Sequence, residues 1–164
     1  MRPIRVFAAV AILLGGCASY DGRGLVPGQS AAEVEAVMGA PTERVKAADG
    51  DTIWFYSRQP FGRQMYAARI APDGRLRSME QVLTEANTVK LVPGVSTRAQ
   101  VLELFGPPYQ TSRIERMERE VWTWTIYNIN QMDFYLHVQM SFDGIVREVI
   151  VLKDYNKEVG ASKS

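Results

Sequence analysis

The chain has 164 residues, of which 46% are hydrophobic, and a formal net charge of +1. A near-neutral chain without a basic run gives no support for nucleic-acid binding. One cysteine cannot form an intrachain disulfide, one cysteine with one histidine argues against a zinc site, and no motif predicts a small-molecule cofactor.

The first 16 residues have the composition of an export signal. Arg2 and Arg5 form a positive region, and the apolar run Val6–Leu14 is too short to cross a bilayer, which takes about 20 residues. The run leads into Leu-Gly-Gly-Cys, ending at Cys17, which resembles the lipobox of bacterial lipoproteins. The resemblance implies cleavage before Cys17, acylation of that residue and, with Ala18 following it, an outer-membrane location facing the periplasm. The alternative is an ordinary secretory peptide cleaved after Ala18.

A repeat organises the rest of the chain. The segment Leu25–Gly28 (Leu-Val-Pro-Gly) returns as Leu91–Gly94, and the sequences after the two copies also correspond, at an offset that rises from 66 to 70 residues. We therefore predict two copies of one module. The predicted boundaries are a signal peptide at 1–16, a lipidated tether at 17–24, module 1 at 25–84, a connector at 85–90, module 2 at 91–153 and a polar tail at 154–164.

Each module is predicted to contain one helix followed by four strands. Ser30 with Glu33, and Thr97 with Gln100, have the spacing of a capping box, and a Gly-x-Pro sequence ends each helix. Asp-Gly pairs between β-rich runs predict hairpin turns. The strands are predicted at 43–47, 52–58, 64–71 and 75–83 in module 1, and at 110–116, 120–127, 133–142 and 145–153 in module 2.

The strand at 133–142 alternates most clearly between apolar and polar residues. Its apolar face carries Phe134, Leu136, Val138, Met140 and Phe142, and its other face carries Tyr135, His137, Gln139 and Ser141. This pattern favours an α+β fold, in which helices cover one face of an antiparallel sheet. The repeat then predicts a covered side of module 1 with Tyr66, Ala68 and Ile70, and an open side with Met65, Ala67 and Arg69.

Both modules contain Gly-x-Ser/Thr-x-x-Glu/Gln-Val followed by Gly-x-Pro, with one extra residue after Gly94 in module 2. Together with the aromatic strand Trp54–Tyr56 and the late Asp-Gly hairpin, these motifs resemble the SmpA/OmlA (BamE-like) family. That resemblance implies a helical pair on a small antiparallel sheet, and a role in the outer-membrane β-barrel assembly machinery. The family member of that machinery has a single module, whereas a tandem is similar to the β-lactamase inhibitor protein fold, with two sheets forming one concave binding face.

Few residues suggest catalysis. His137 has no recognisable nucleophile motif to serve, so we interpret it as a surface or interface residue, with a general base as the alternative. Asp49 and Asp51 flank a glycine and are interpreted as turn residues, because they lack the ligand run of a calcium loop. The mixed charges of 113–120 are interpreted as a solvated turn, with a docking patch as the alternative.

Aromatic residues, Met and Arg are enriched at binding hot spots, whereas most aromatics pack in cores. We assign Trp54, Tyr56, Trp122 and Trp124 to the core. The candidate partner-binding residues are Phe55, Met65, Arg69, Tyr135, His137 and Gln139.

Two functions follow from these observations. The first is a non-enzymatic outer-membrane lipoprotein that binds an envelope protein through its sheet face and supports envelope or β-barrel assembly. The second is an inhibitor of a periplasmic or extracellular enzyme, such as a β-lactamase or an envelope hydrolase. An inhibitor would need an exposed loop, for which 59–63 and 128–131 are the candidates.

Overall fold

The computed structural model describes residues 21–127 and 133–153. The predicted signal peptide, Cys17, the 128–131 loop and the polar tail lie outside these residues. Module 1 contains α1 (Ala31–Met38), β1 (Glu43–Lys46), β2 (Thr52–Ser57), β3 (Met65–Ile70) and β4 (Leu76–Gln81). The connector contains α2 (Glu85–Thr88), and module 2 contains α3 (Arg98–Phe105), β5 (Gln110–Ile114), β6 (Arg119–Tyr127), β7 (Asp133–Ser141) and β8 (Val146–Lys153).

Local signals in the sequence determine where the two longer helices begin and end. The backbone N–H of Glu33 donates to Ser30 Oγ at 3.3 Å, and the Glu33 carboxylate accepts from the Ser30 N–H at 2.7 Å. The same reciprocal capping box forms at the start of α3. Gly39 and Gly106 end the helices with φ of 78° and 69°, which L-residues rarely adopt. The predicted helix boundaries are therefore confirmed.

The two modules share one topology. Each contains a four-stranded antiparallel sheet, with the strands in sequence order: sheet 1 is β1–β4 and sheet 2 is β5–β8. The N–H of Gly28 donates to the carbonyl of Leu76 at 2.8 Å, and that of Gly94 donates to the carbonyl of Val146 at 2.7 Å. Register shifts also occur at equivalent positions, 69/70 in β3 and 139/140 in β7. The α+β class and the tandem arrangement are confirmed, and the two sheets are separate.

Helix α1 covers only one face of sheet 1. That face forms a hydrophobic cluster of Val34, Met38, Tyr56, Ala68, Ile70 and Leu76. The opposite face of sheet 1 joins a second cluster, which contains residues of both modules: Ile53, Phe55, Met65 and Ala67 of sheet 1, Val101 and Phe105 of α3, and Trp122, Trp124, Ile126, Leu136, Val138 and Met140 of sheet 2. Sheet 1 is thus covered on both faces, and sheet 2 contributes one face to the shared core.

This packing corrects two predictions. The open side predicted for module 1 is wrong for Met65 and Ala67, which are buried because module 2 covers them. The covered position predicted for Phe142 is also wrong, since its side chain is 45% exposed. β7 ends at Ser141, so Phe142 begins the turn, where the guanidinium of Arg113 lies 5.6 Å from its ring centre.

The predicted core aromatics are mostly confirmed. Tyr56, Trp122 and Trp124 are buried. Trp54 is half-buried on the α1 side of sheet 1, with the guanidinium of Arg44 at 4.7 Å from its ring centre. Such a contact allows one side of the indole to stay near solvent.

The residues before module 1 also pack on sheet 1. A β-carbon placed on Gly22 would lie 2.6 Å from Met79 Cγ, and the N–H of Leu25 donates to the Gly22 carbonyl at 3.0 Å. The part of the predicted tether that is described, 21–24, therefore lies against the fold. Over the described ranges, no helix is both long enough and apolar enough to cross a bilayer.

Candidate partner-binding face

The face of sheet 2 that points away from the core is here called the outer face. Side chains alternate along a strand, so residues next to the core-facing Trp122 and Trp124 point outward. The cross-strand register then defines the outer face as Val121, Thr123, Thr125, Tyr135, His137, Gln139, Ile150 and Leu152. None of these residues belongs to either hydrophobic cluster. The sequence-predicted residues Tyr135, His137 and Gln139 therefore do lie together on one face.

Large and small side chains are paired across β6 and β7. Thr125 lies opposite Tyr135, and Thr123 lies opposite His137. The threonines are buried by their neighbours, whereas Tyr135 and His137 are half-buried. Of these two strands, β7 therefore presents more surface to a partner than β6 does.

A hydrogen bond and a ring contact hold the His137 side chain in place. Its Nδ1 lies 3.0 Å from Thr123 Oγ1, and its ring centre lies 6.0 Å from that of Tyr135. Burial lowers the pKa of the imidazole, which favours the neutral ring at neutral pH. Among residues 21–127 and 133–153, no carboxylate bonds to this imidazole, as the orienting acid of a catalytic triad would. The geometry suits recognition through hydrogen bonding and ring contact.

A polar network holds Gln139, which lies two residues after His137 on the outward side of β7. Arg119 Nη1 donates to Gln139 Oε1 at 3.0 Å and lies 3.6 Å from the Glu148 carboxylate. The amide of Gln139 is thereby oriented through its Oε1 atom. Apolar and aromatic groups bordered by a polar rim are the usual composition of a protein interface.

The equivalent face of module 1 is not open. By the repeat, Phe55 corresponds to Thr123, and Met65 to Tyr135. Phe55 and Met65 are fully buried, and a β-carbon placed on Gly106 at the end of α3 would lie 2.7 Å from each of them. The prediction that Phe55 and Met65 form a partner surface is therefore wrong, because module 2 already occupies that position.

Arg69 also lies away from the outer face. Its Nη2 donates to Asp49 at 2.5 Å and its Nε donates to Asp51 at 2.7 Å. Arg77 Nε approaches the other oxygen of Asp51 to 3.0 Å, but without the alignment of a hydrogen bond. The bond from Arg69 lowers the pKa of Asp49. Asp49 and Asp51 thus form an ion-pair cluster with Arg69 and Arg77, in addition to flanking the predicted turn.

Three residues that form the outer face or join the modules were not identified from the sequence. The Trp-Thr-Trp-Thr alternation of β6 could have predicted that Thr123 and Thr125 point to the outer face, opposite the core-facing tryptophans. Gln59 carried no such signal, yet its amide joins the modules: Oε1 accepts from the Thr125 N–H, and Nε2 donates to the Thr125 carbonyl, both at 2.8 Å. This contact depends on distant chain segments meeting, which no local pattern encodes.

The fold defines a tandem α+β protein in which, among residues 21–127 and 133–153, one sheet face lies outside both hydrophobic clusters. A scan against protein-family models finds no match, and no curated protein matches. Among solved structures, the chain is similar to a DUF4309 family protein (YjgB) from Bacillus subtilis subsp. subtilis str. 168, with 16% identity, 77% of this chain and 79% of that chain covered, and a TM-score of 0.31. A likeness this distant carries no functional argument, so the SmpA/OmlA resemblance stays a prediction.

Proposed function

We propose that this protein is a non-enzymatic, lipid-anchored outer-membrane protein that binds an envelope protein through the outer face of sheet 2. The proposal combines the lipobox resemblance at Cys17 with the open face that carries Tyr135, His137 and Gln139. The SmpA/OmlA resemblance makes the β-barrel assembly machinery the first partner to test.

One observation carries the proposal. Among the described residues, the same face of the repeated module is covered in module 1, whereas in module 2 it belongs to neither hydrophobic cluster. Where the face is covered, its residues are core-like, as with Phe55 and Met65. Where it is uncovered, Thr123 and Tyr135 replace them, so the face tolerates water but retains aromatic contact area. This composition is more typical of a transient interface than of an obligate one, so it favours a partner that dissociates.

The mechanism would be positioning without chemistry. Acyl chains on Cys17 would hold the fold at the membrane. Each buried CH₂ group adds about 0.8 kcal/mol to the free energy of membrane binding. Sheet 2 is a rigid platform, because nine cross-strand pairs join β6 to β7. A rigid, preordered surface loses little entropy on binding.

Site-specific photocrosslinking in native membranes tests the proposal. A photoreactive residue at Gln139 should capture an envelope protein, whereas one at Glu35, exposed on α1, should not. Adding Tyr135→Ala to the Gln139 probe should abolish capture, because an interface hot spot contributes about 2 kcal/mol, near 30-fold in affinity. A β-lactamase or envelope hydrolase captured at Gln139 would assign the same face to inhibition.

Two results would contradict the proposal. Equal capture at Glu35 and Gln139 would show no preferred face. Full complementation of a deletion strain by the Tyr135→Ala His137→Ala chain would show that the outer face is dispensable. The anchor is tested separately, since Cys17→Ser should move the protein from the membrane fraction to the soluble fraction.

A further inference from the structure

The β2–β3 loop presents a phenylalanine to solvent. Phe61, between Pro60 and Gly62, is fully exposed, and every other large hydrophobic side chain of the described ranges is more covered. A single exposed apolar residue is ordinary, but a fully exposed ring at the tip of a loop is a large apolar surface left in water.

The loop holds this ring outward on a rigid base. Gln59 Nε2 donates to the carbonyl of Gly62 as well as to that of Thr125, each at 2.8 Å. The Gly62 N–H donates to the Arg58 carbonyl at 2.7 Å. The base of the loop is therefore tied both to itself and to β6, so a contact made by Phe61 would require little further ordering.

The N-terminal segment leaves the fold at the same end of sheet 1. Gly28 bonds to Leu76 at the start of β4, whereas Gly22, six residues nearer to Cys17, lies against Met79 further along β4. β4 ends beside the first residues of β3, where the β2–β3 loop also ends. Followed toward Cys17, the chain therefore runs toward the Phe61 loop.

We propose that Phe61 inserts into the interfacial region of a phospholipid membrane, with Arg58 and Arg63 beside it at the headgroups. Only three residues lie between Cys17 and Asp21, so these four Cα–Cα steps reach about 14 Å at most. An aromatic ring suits the boundary between headgroups and acyl chains, and arginines at that depth contact anionic lipids. The position of the anchor rests on the proposed function, whereas the exposed ring and its rigid loop do not.

Quenching by brominated lipids tests the insertion directly. The full-length protein is placed in vesicles of phosphatidylcholine and phosphatidylserine with bromines on the acyl chains, either by reconstitution from membranes or, if it is recovered soluble, by mixing. The Phe61→Trp chain should lose more fluorescence than the wild type, because the new indole lies about 5–10 Å into the boundary region. The matched control is Phe142→Trp. Phe142 is also exposed, but it lies at the end of sheet 2 away from the contact between the Phe61 loop and Thr125. This variant should lose no more fluorescence than the wild type.

Either of two quenching results would overturn the insertion. One is a Phe61→Trp chain quenched no more than the wild type. The other is equal extra quenching of the two variants, which would show no preferred end. If added envelope protein instead shields the new indole from aqueous iodide, the ring binds a protein pocket and the lipid proposal is wrong. A failed partner proposal would appear in crosslinking from Gln139, and a failed anchor in membrane fractionation, so each failure is recognised separately.

Discussion

Replacing Gly106 by alanine is expected to destabilise the protein more than the same replacement at Gly39. The two glycines are repeat equivalents at the ends of α3 and α1, with ψ of −175° and −169° and similar positive φ. This backbone region is essentially reserved for glycine, so an L-residue costs about 1–3 kcal/mol at either position. The strain is therefore common to both variants.

The surroundings of the two glycines differ. A methyl group on Gly39 would meet nothing within 4 Å, whereas on Gly106 it would lie 2.7 Å from Met65 Sδ and 2.7 Å from Phe55 Cδ1. Both neighbours are fully buried, so relief requires the modules to separate or the core to shift. Overpacking of this kind adds about 1–3 kcal/mol. The difference between the variants measures how closely module 2 packs on sheet 1.

Urea unfolding followed by tryptophan fluorescence provides the comparison. Both variants should retain the wild-type m-value, and the Gly106→Ala chain should be less stable than the Gly39→Ala chain by about 1–3 kcal/mol. For a chain of this size, the corresponding difference in Tm is about 2–4 °C per kcal/mol. Equal losses in the two variants would refute the close approach of α3 to sheet 1.

Three further predictions concern single polar side chains. Asp51→Asn should cost about 1–3 kcal/mol in thermal unfolding and Asp49→Asn should cost less, because the Asp51 side chain is 1% exposed and that of Asp49 55% exposed; equal costs would contradict the buried pair. Gln59→Ala should cost about 1–3 kcal/mol, since it leaves backbone groups of β6 without partners, whereas exposed Gln64→Ala should change the unfolding midpoint little. Burial lowers the pKa of His137, so the folded chain resists protonation, and stability should fall as the pH drops through the unfolded value of about 6.5. His137→Gln should remove that part of the pH dependence, and an NMR titration of this single histidine with a pKa at or above the unfolded value would refute it.

Local chemistry made much of the fold predictable. The capping boxes at Ser30 and Thr97, with the Gly-x-Pro sequences after them, depend on contacts within a few residues, so they can be read from the sequence. The alternation of β7 likewise predicted that Leu136, Val138 and Met140 would be buried together. These patterns are sufficient to define the repeat and the side of sheet 2 that packs inward.

The wrong and missed predictions share a different cause. The repeat predicts that Met65 lies on an open side, as its partner Tyr135 does. In the described ranges, module 2 covers Met65, whereas Tyr135 belongs to neither hydrophobic cluster. The ion pairs of Asp51 and the amide contact of Gln59 also join segments far apart in sequence. Each depends on how the modules or strands meet, which periodicity within one strand does not specify.

Within the described ranges, packing module 2 on module 1 leaves one sheet face, the outer face of sheet 2, outside both hydrophobic clusters. In module 1, α3 covers the face of sheet 1 that points away from α1, and Phe55 lies against Gly106 there. If the outer face of module 2 were merely a spare copy of that surface, it would keep residues like Phe55 and expose an aggregation-prone patch. Instead, Thr123 and His137 bond to each other there, while Tyr135 retains aromatic area. A surface serving only solubility would need no tyrosine beside the imidazole, and a permanent interface would need no polar threonines on β6. These two features are why we propose a reversibly bound protein.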